Sequence, residues 1–349
     1  MRRRRPAVPA ALIAAAVALF TMGGPALACG GLIGPNGAVN LLRTTTFVGY
    51  HAGVEHYVTS FEFVGGGGRF GSITPLPGVP SNVERGGDWT LQRLIRETQP
   101  AQERLAFDAL SAPTAAGAQV LLQTRIDALD ITVLKGGGDD VGAWAKTNGF
   151  RLPPDAPEVL DFYAARSPIF LAASFDADAA AARGQDVGDG TPIHVTIPTP
   201  NPWVPLHILG LGKSDAERIE ADVYLLTDLA PTFLPAPTER GMSLAHGAPA
   251  TASLLDDLRS DKGMDWVPAS GWLTQIRLDA AATELSYDLA VDATGQGTPS
   301  RVAAGLAQPP PSNDRPFVPA GPLILLFSTY VIAIALAVVR IGSRPVPSS

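Results

Sequence analysis

Side chains that could carry out chemistry are few in this sequence of 349 residues, and they are scattered along it. Of the five histidines, no two have the i, i+4 spacing of a helical metal site, and no HExxH pattern occurs. The nucleophile elbow G-x-S-x-G is also absent, because Ser72 follows a glycine in a predicted strand without a helix behind it. We therefore predict no catalytic residues and no cofactor.

One acidic segment could bind a cation. Asp186 and Asp189 lie in the sequence GQDVGDG of residues 184–190. Calcium takes six to eight oxygen ligands from carboxylates and carbonyls, often on flexible loops, and external calcium is abundant. The D-x-D-x-D-G register of an EF-hand is missing, so a polar turn between strands is the alternative interpretation. Asp186 and Asp189 remain weak calcium candidates.

One aromatic residue could contact a partner. Trp203 lies in the segment NPWVP, residues 201–205, where the flanking prolines would present the ring rigidly to a protein or glycan. Prolines also disfavour a central strand in this segment. The alternative is that Trp203 packs under a loop.

The elements that would position these residues are mainly strands. Residues 40–64 contain two runs of β-branched and aromatic side chains, and Ala52-Gly53 between them predicts a tight turn. With this turn at the centre of a β-hairpin, His56 would pair with Gly49. Residues 69–74 predict a third strand, which would extend the hairpin to a three-strand meander.

Short helices follow, each preceded by an aspartate that can cap it: Asp88, Asp139 or Asp140, and Asp155. No regular βαβ alternation appears. The order of elements therefore favours an α+β fold, with a largely antiparallel sheet and several short helices. Further predicted strands lie at 121–126, 129–134, 169–174, 193–197, 204–209, 219–226 and 272–278, and a further helix lies at 252–259.

Four segments, in their order along the chain, resemble an uncharacterised exported bacterial family that is catalogued as domain of unknown function 2330. The resemblance covers most of residues 29–290. It implies an exported and often membrane-anchored domain, and it brings no established catalytic residues. The segments are ACGG with PNG (residues 28–37), TTT with EHYVT (44–59), GSITPLP with ERGGDW (71–89), and LDITVL with VGAW and NGF (129–150).

The N-terminus has the pattern of a secretory signal peptide. Arg2–Arg5 form a basic region, Ala7–Phe20 form an apolar run, and Ala26-Leu27-Ala28 provides a small-x-small cleavage site before Cys29. Cys29 would then be the mature N-terminus, either as a plain thiol or as a lipidated residue. Because the chain has a single cysteine, an intramolecular disulfide is excluded.

The C-terminus has the pattern of a membrane anchor. Residues 320–339 carry no formal charge and are long enough for one transmembrane helix, and Arg340 and Arg344 follow at once. The predicted organisation is a signal peptide at 1–28, an exported domain at 29–291, a Pro/Gly-rich stalk at 292–319, a transmembrane helix at 320–339 and a short cytoplasmic tail at 340–349.

These expectations describe a single-pass protein of the cell membrane with its N-terminal domain outside the cytoplasm. The net charge of −7 argues against a nucleic-acid partner, and the exported part is more acidic still because six of the arginines lie in the terminal segments. We expect a non-enzymatic binding or envelope-structural module with an unknown protein or glycan ligand. An exported hydrolase with an unrecognised carboxylate site is the alternative, so enzymatic activity stays open.

Overall fold

β-Strands dominate the computed structural model, which describes residues 31–34, 37–38, 44–62, 69–98, 119–127, 129–176 and 190–308. The compact unit to which these residues belong ends at Gln308. Several predictions lie outside the described residues: the signal peptide with Cys29, the acidic pair Asp186 and Asp189, and the segments 320–339 and 340–349.

The described strands form sheets of six, seven and three strands. The six-stranded sheet has the order β2-β1-β5-β9-β8-β7, the seven-stranded sheet the order β14-β15-β12-β3-β4-β10-β6, and the small sheet the order β11-β16-β13. The strands are β1 (Gly31–Gly34), β2 (Gly37–Ala38), β3 (Thr44–His51), β4 (Val54–Glu62), β5 (Arg69–Pro75), β6 (Asn82–Arg85), β7 (Gln119–Ile126), β8 (Leu129–Lys135), β9 (Ile169–Asp176), β10 (Gly190–Pro198), β11 (Trp203–Val204), β12 (Arg218–Thr227), β13 (Thr232–Leu234), β14 (Met242–Pro249), β15 (Trp272–Ala281) and β16 (Leu289–Asp292).

Helices cover the outer faces of the two large sheets. The described α-helices are α1 (Thr90–Thr98), α2 (Gly138–Thr147), α3 (Ala156–Ala164) and α4 (Ala252–Ser260), and short 3₁₀ turns lie at His207–Gly210 and Ala282–Glu284. Helices α1 and α4 bury Leu94 and Leu254 with Phe47 of the seven-stranded sheet. Helices α2 and α3 bury Trp144 and Leu160 against the six-stranded sheet.

The largest core lies between the two large sheets. Val48 and Tyr57 enter it from the seven-stranded sheet, and Ile131 and Leu171 enter it from the six-stranded sheet. Since strand side chains alternate between faces, neighbouring positions such as Phe47 point to the outer, helix-covered side. The domain is therefore layered as helices, sheet, sheet and helices.

The predicted hairpin is confirmed. Strands β3 and β4 pair antiparallel with His56 opposite Gly49, and the turn residues Ala52 and Gly53 have φ angles of 50° and 82°. The predicted meander is wrong, because β5 pairs with β1 and β9 of the six-stranded sheet. The predicted strand 204–209 is also shorter than expected, because the 3₁₀ turn begins at His207.

The predicted α+β class is wrong, since the described residues form a mostly β structure in which helices only cover the sheets. The prediction missed strands that lack alternating polarity. Strand β14, for example, is an edge strand whose side chains are mostly exposed on both faces.

No helix among the described residues is long and apolar enough to cross a membrane. The predicted C-terminal transmembrane helix, residues 320–339, lies outside the described residues and is not supported. Part of the predicted stalk, residues 292–308, lies against the domain, where Ala303 and Ala304 are buried with α2 and α3.

Candidate functional site

Two histidines that are far apart in the sequence meet on the outer face of the seven-stranded sheet. In the register of β10 with β4, Thr196 lies opposite His56, and in the register of β10 with β6, His194 lies opposite Glu84. The adjacent Tyr57 points into the core between the sheets. His56, His194 and Glu84 therefore project from the opposite face, because strand side chains alternate.

A chain of hydrogen bonds joins these three side chains. His194 Nδ1 lies 3.2 Å from Glu84 Oε1, and His194 Nε2 lies 2.9 Å from His56 Nδ1. The Thr196 hydroxyl lies 3.4 Å from the same His194 Nε2. His194 is only 2% exposed, whereas Glu84 is exposed and His56 is half-buried. The chain runs from a solvated carboxylate through a buried imidazole to a second imidazole.

The indole of Trp266 covers the two imidazoles. Its ring centroid lies 3.9 Å from that of His56 at an interplanar angle of 3°, and 5.5 Å from that of His194. Gly49 makes this approach possible, because a Cβ at that position would lie 2.3 Å from the Trp266 ring. A larger residue at position 49 would displace the indole.

The segment that carries Trp266 is fixed at both ends. Asp261, which is buried, accepts hydrogen bonds from backbone N–H groups at the start of α1, including that of Trp89 at 3.0 Å. Arg259 donates a hydrogen bond of 2.7 Å to the carbonyl oxygen of Pro268. The indole is thus held in place before any ligand arrives.

Both imidazoles are neutral at neutral pH. Burial, followed by the charges of His194 and His51, lowers the pKa of His56 to about 3. Burial also lowers the pKa of His194 to about 4, although Asp265 opposes the change. Because an ionised carboxylate only accepts, His194 Nδ1 donates to Glu84 and its Nε2 accepts from His56 Nδ1. This tautomer leaves the lone pair of His56 on Nε2.

Such a chain has two kinds of chemistry available. A carboxylate can orient an imidazole as a general base, and neutral imidazoles bind metals and hydrogen-bond donors. Within the part of the chain that the structure describes, no group of three or more His, Cys, Asp or Glu side chains could hold a metal ion. A metal at this cluster would therefore have the two imidazoles as its only ligands of these types.

A second polar cluster is buried beside α3, and its polar groups form hydrogen bonds with one another and with the backbone. Asp288 Oδ1 accepts hydrogen bonds from the Tyr163 hydroxyl (2.8 Å) and from the backbone N–H groups of Leu206 (2.7 Å) and His207 (3.0 Å). Asp288 Oδ2 accepts from Arg166 at 2.5 Å. Aromatic rings, including that of Tyr163, surround the Arg166 guanidinium. This cluster ties α3 to the small sheet, and we assign it a structural role.

Glu55 on strand β4 is a buried acid with one hydrogen bond. It is fully buried on the inner face of β4, and its Oε2 accepts a hydrogen bond of 3.3 Å from the Trp203 backbone N–H. Its Oε1 has no hydrogen-bond partner in the part of the chain that the structure describes. Burial raises the pKa of Glu55 to about 8, so the carboxyl group is largely protonated at neutral pH.

The structure places the predicted partner-binding residue in the core. Trp203 is 3% exposed and stacks on Tyr163 at 5.7 Å between ring centroids. Its ring does not reach the surface in this conformation. Asp186 and Asp189, the calcium candidates, lie outside the described residues.

The sequence missed the imidazole pair. His51 and His56 lie on the adjacent strands β3 and β4 but not opposite each other, and His51 Nδ1 lies 2.7 Å from Asp228 Oδ1 on the surface. Residues 193–197 were predicted as a strand, but no local pattern shows that this strand pairs with β4 or brings His194 to His56. Side chains alternate between the two faces of each strand. Once β4 and β10 are known to be neighbours, this alternation would have placed His56 and His194 on the same face.

A model of the family described as "Uncharacterized protein conserved in bacteria (DUF2330)" matches residues 24–229 and confirms the resemblance seen in the sequence. No curated protein matches the chain significantly. The chain is similar to the solved structure of baculovirus P35, at 8% identity and a TM-score of 0.36 over 71% of this chain and 96% of that one. It is similar to a mutated baculovirus P35 after caspase cleavage at 6% identity and a TM-score of 0.36, over 73% and 98% of the respective chains.

Proposed function

The chain belongs to this bacterial family of uncharacterised proteins, and from that premise we propose that it is a non-enzymatic binding module that acts outside the cytoplasm at the cell envelope. The observation that carries the proposal is the immobilised Trp266 above the neutral pair His56 and His194. Because these rings are ordered in advance, a ligand that meets them loses little additional conformational entropy on the protein side.

The location outside the cytoplasm rests on the sequence. The basic region, apolar run and small-x-small site of residues 1–28 favour export. The acidity of the chain favours basic or neutral partners over anionic lipid and nucleic acid. An envelope glycan or an envelope protein is the partner class that these properties support.

Photo-crosslinking in intact bacteria tests this function. A photoreactive residue at Asp265, beside Trp266, should give a crosslinked envelope product, and the product should disappear when His194→Ala is added. A photoreactive residue at Ser243 on the edge strand β14 serves as the matched control and should not give that product. Identical products from both positions, or a product at 265 that survives His194→Ala, would contradict the proposal.

An exported hydrolase is the second candidate, and the Glu84–His194–His56 chain favours it, since a carboxylate-oriented imidazole is a general-base arrangement. If this is the function, Glu84→Gln should lower turnover on esters, amides or glycosides while His51→Ala leaves it unchanged. Screening the purified chain against these three substrate types checks the candidate, and turnover that is absent or indifferent to Glu84→Gln removes it.

A further inference from the structure

We infer that His56 Nε2 is a nucleophile that accepts the acyl group of an activated acyl donor, such as an aryl ester or a thioester, while its Nδ1 proton leaves through His194 to Glu84. The reaction goes beyond the envelope-binding role, because it forms a covalent bond and needs no envelope partner. It also differs from the hydrolase candidate, in which an imidazole only activates water as a base. The free nitrogen of His56, the hydrogen-bonded chain behind it and the charge around it support the inference.

The reactive nitrogen of His56 is accessible. His56 is half-buried, and its Nδ1 is occupied by the hydrogen bond to His194. Within the part of the chain that the structure describes, no hydrogen bond reaches His56 Nε2, and this atom is not one of the buried side-chain atoms without a partner. The nitrogen therefore meets solvent, and in the neutral tautomer it carries the lone pair. An electrophile can approach it without displacing a hydrogen bond.

The two imidazoles are aligned for proton transfer. Their rings lie within 24° of each other with centroids 5.1 Å apart, and His56 Nδ1 faces His194 Nε2 along the hydrogen bond of 2.9 Å. His194 Nδ1 continues the chain to Glu84 Oε1 at 3.2 Å. Because Glu84 is exposed, a proton that reaches it can pass to water. The chain thus connects a half-buried nucleophile to a solvated carboxylate.

The acyl transfer balances along this chain. His56 Nε2 attacks the carbonyl carbon, a C–N bond forms, and the C–O or C–S bond to the leaving group breaks. As the acylimidazole forms, the Nδ1 proton of His56 moves to His194 Nε2, and the Nδ1 proton of His194 moves to Glu84 and then to water. The leaving group departs as an anion. Water then hydrolyses the acylimidazole to the carboxylic acid and restores the imidazole.

The surroundings favour an activated acyl donor without negative charge. Glu84 contacts His194, and Asp265 acts electrostatically on the same ring. These carboxylates repel phosphoryl donors, which are anionic. Since every proton in the chain moves away from the leaving group, that group must depart without one, as phenolates and thiolates do. Burial is the main cause of the low pKa of His56, and desolvation of the charged form leaves the neutral lone pair available.

The first test is labelling of the purified full-length chain with diethyl pyrocarbonate, an uncharged acyl donor that reacts with neutral imidazole, followed by peptide mapping. We expect the label on His56. Because the pKa of His56 is lowered to about 3, its labelling rate should change less than about twofold between about pH 8 and about pH 5. The matched control N-acetylhistidine, with an ordinary pKa of about 6.5, should lose reactivity about thirtyfold over this range.

Turnover of p-nitrophenyl acetate tests the relay. His56→Asn keeps an N–H group that can bond His194 but removes the nucleophile, so turnover should fall at least about tenfold. His194→Gln and Glu84→Gln interrupt the proton path and should each lower turnover about tenfold or more, and Glu84→Asp should restore part of it. His246→Ala is the matched control and should react as the wild type does.

The pH profile of the wild type needs no variant, so it tests the inference even where a variant does not fold. Labelling of His56 that falls with pH as N-acetylhistidine does, or equal turnover by the wild type and His56→Asn, would overturn the inference. Turnover that is indifferent to both His194→Gln and Glu84→Gln would also overturn it. Crosslinking at position 265 in a chain that is not labelled at His56 would leave the envelope-binding role standing without acyl transfer.

Discussion

Asp288 and Glu55 are both fully buried acids, but their surroundings differ. Asp288 accepts hydrogen bonds at both oxygens and pairs with the buried Arg166, whose side chain is 4% exposed. Among the described residues, Glu55 has a single backbone donor and no cation that acts on its pKa. The fold thus stabilises one acid by full compensation and accommodates the other by keeping it protonated.

The two acids illustrate two situations: a buried ion pair and a single buried carboxyl group. A buried pair is weak evidence of net stability, yet removing one partner is costly because the other charge remains in a low dielectric. An isolated buried carboxyl group instead couples its protonation to folding. The Asp288 cluster should therefore respond strongly to mutation, and Glu55 should respond strongly to pH.

The largest expected effect comes from removing Asp288. Asp288→Ala leaves the Arg166 guanidinium buried without its partner, so we expect a loss of about 3–5 kcal/mol in the free energy of unfolding. Urea unfolding at constant pH measures it. The matched double variant Asp288→Leu/Arg166→Met should lose clearly less than the sum of the single changes, and an additive result would show that the two residues do not act as a pair.

Glu55→Gln should show the next largest effect, and it should depend on pH. Since the folded-state pKa of Glu55, about 8, lies above the ordinary value of 4.5, the folded state holds the proton longer, and wild-type stability falls as pH rises from about 4.5 to about 8. Gln cannot ionise. We expect Glu55→Gln to match the wild type near pH 4 and to exceed it by roughly 4 kcal/mol at pH 8.

Urea unfolding across this pH range checks the sign. Glu62→Gln, on the same strand, is a suitable comparison because it makes the same replacement of glutamate by glutamine and leaves residue 55 unchanged. A variant Glu55→Gln whose stability falls with pH as steeply as that of the wild type would contradict the pKa assignment.

Asp261 should give an intermediate result, because it is buried and its partners among the described residues are backbone N–H groups and the Thr90 hydroxyl. We expect Asp261→Ala to cost about 2 kcal/mol in unfolding free energy. Amide hydrogen exchange should also become faster at Met264 and Val267, whose N–H groups donate hydrogen bonds within the Trp266 segment. Unchanged exchange there would show that Asp261 does not hold the Trp266 segment.

The smallest effect should come from Glu97, a partly exposed acid that pairs with Arg93 one helical turn away. The hydrogen bond from Arg93 lowers the pKa of Glu97, so its contribution is present above its unfolded pKa and is lost on acidification. We expect Glu97→Gln to cost about 0.3–0.5 kcal/mol at neutral pH and nothing at pH 3. A loss above about 1 kcal/mol would place Glu97 with the buried acids.

The sequence predicted the features that depend on neighbouring residues. The β3–β4 hairpin and its register follow from two alternating runs around Ala52-Gly53, and both are confirmed. Asp88 was expected to cap the first helix, but the carboxylate at the start of α1 belongs to Asp261, far along the chain. Local rules indicate that a helix begins there, and they do not identify a distant partner that caps it.

The sequence also did not predict which distant strands pair, because local rules do not identify a partner far along the chain. The propensity of β5 indicates a strand, but the choice between β4 and β9 as its neighbour depends on how the two large sheets pack. The imidazole pair could not be predicted either, since His56 and His194 meet through the pairing of β4 with β10. The buried position of Trp203 likewise follows from packing on Tyr163, which no spacing in the sequence indicates.

The seven-stranded sheet also constrains the order in which the protein can be completed. Strand β3 pairs in parallel with β12, so that Thr45 lies opposite Asp222. These residues are separated by roughly half the chain, and closing so long a loop is entropically costly and slow. During synthesis the hairpin can form early, but the other edge of β3 stays open until β12 emerges. A chaperone that shields this edge, or transport of the chain before it folds, would protect the nascent protein from aggregation through that strand.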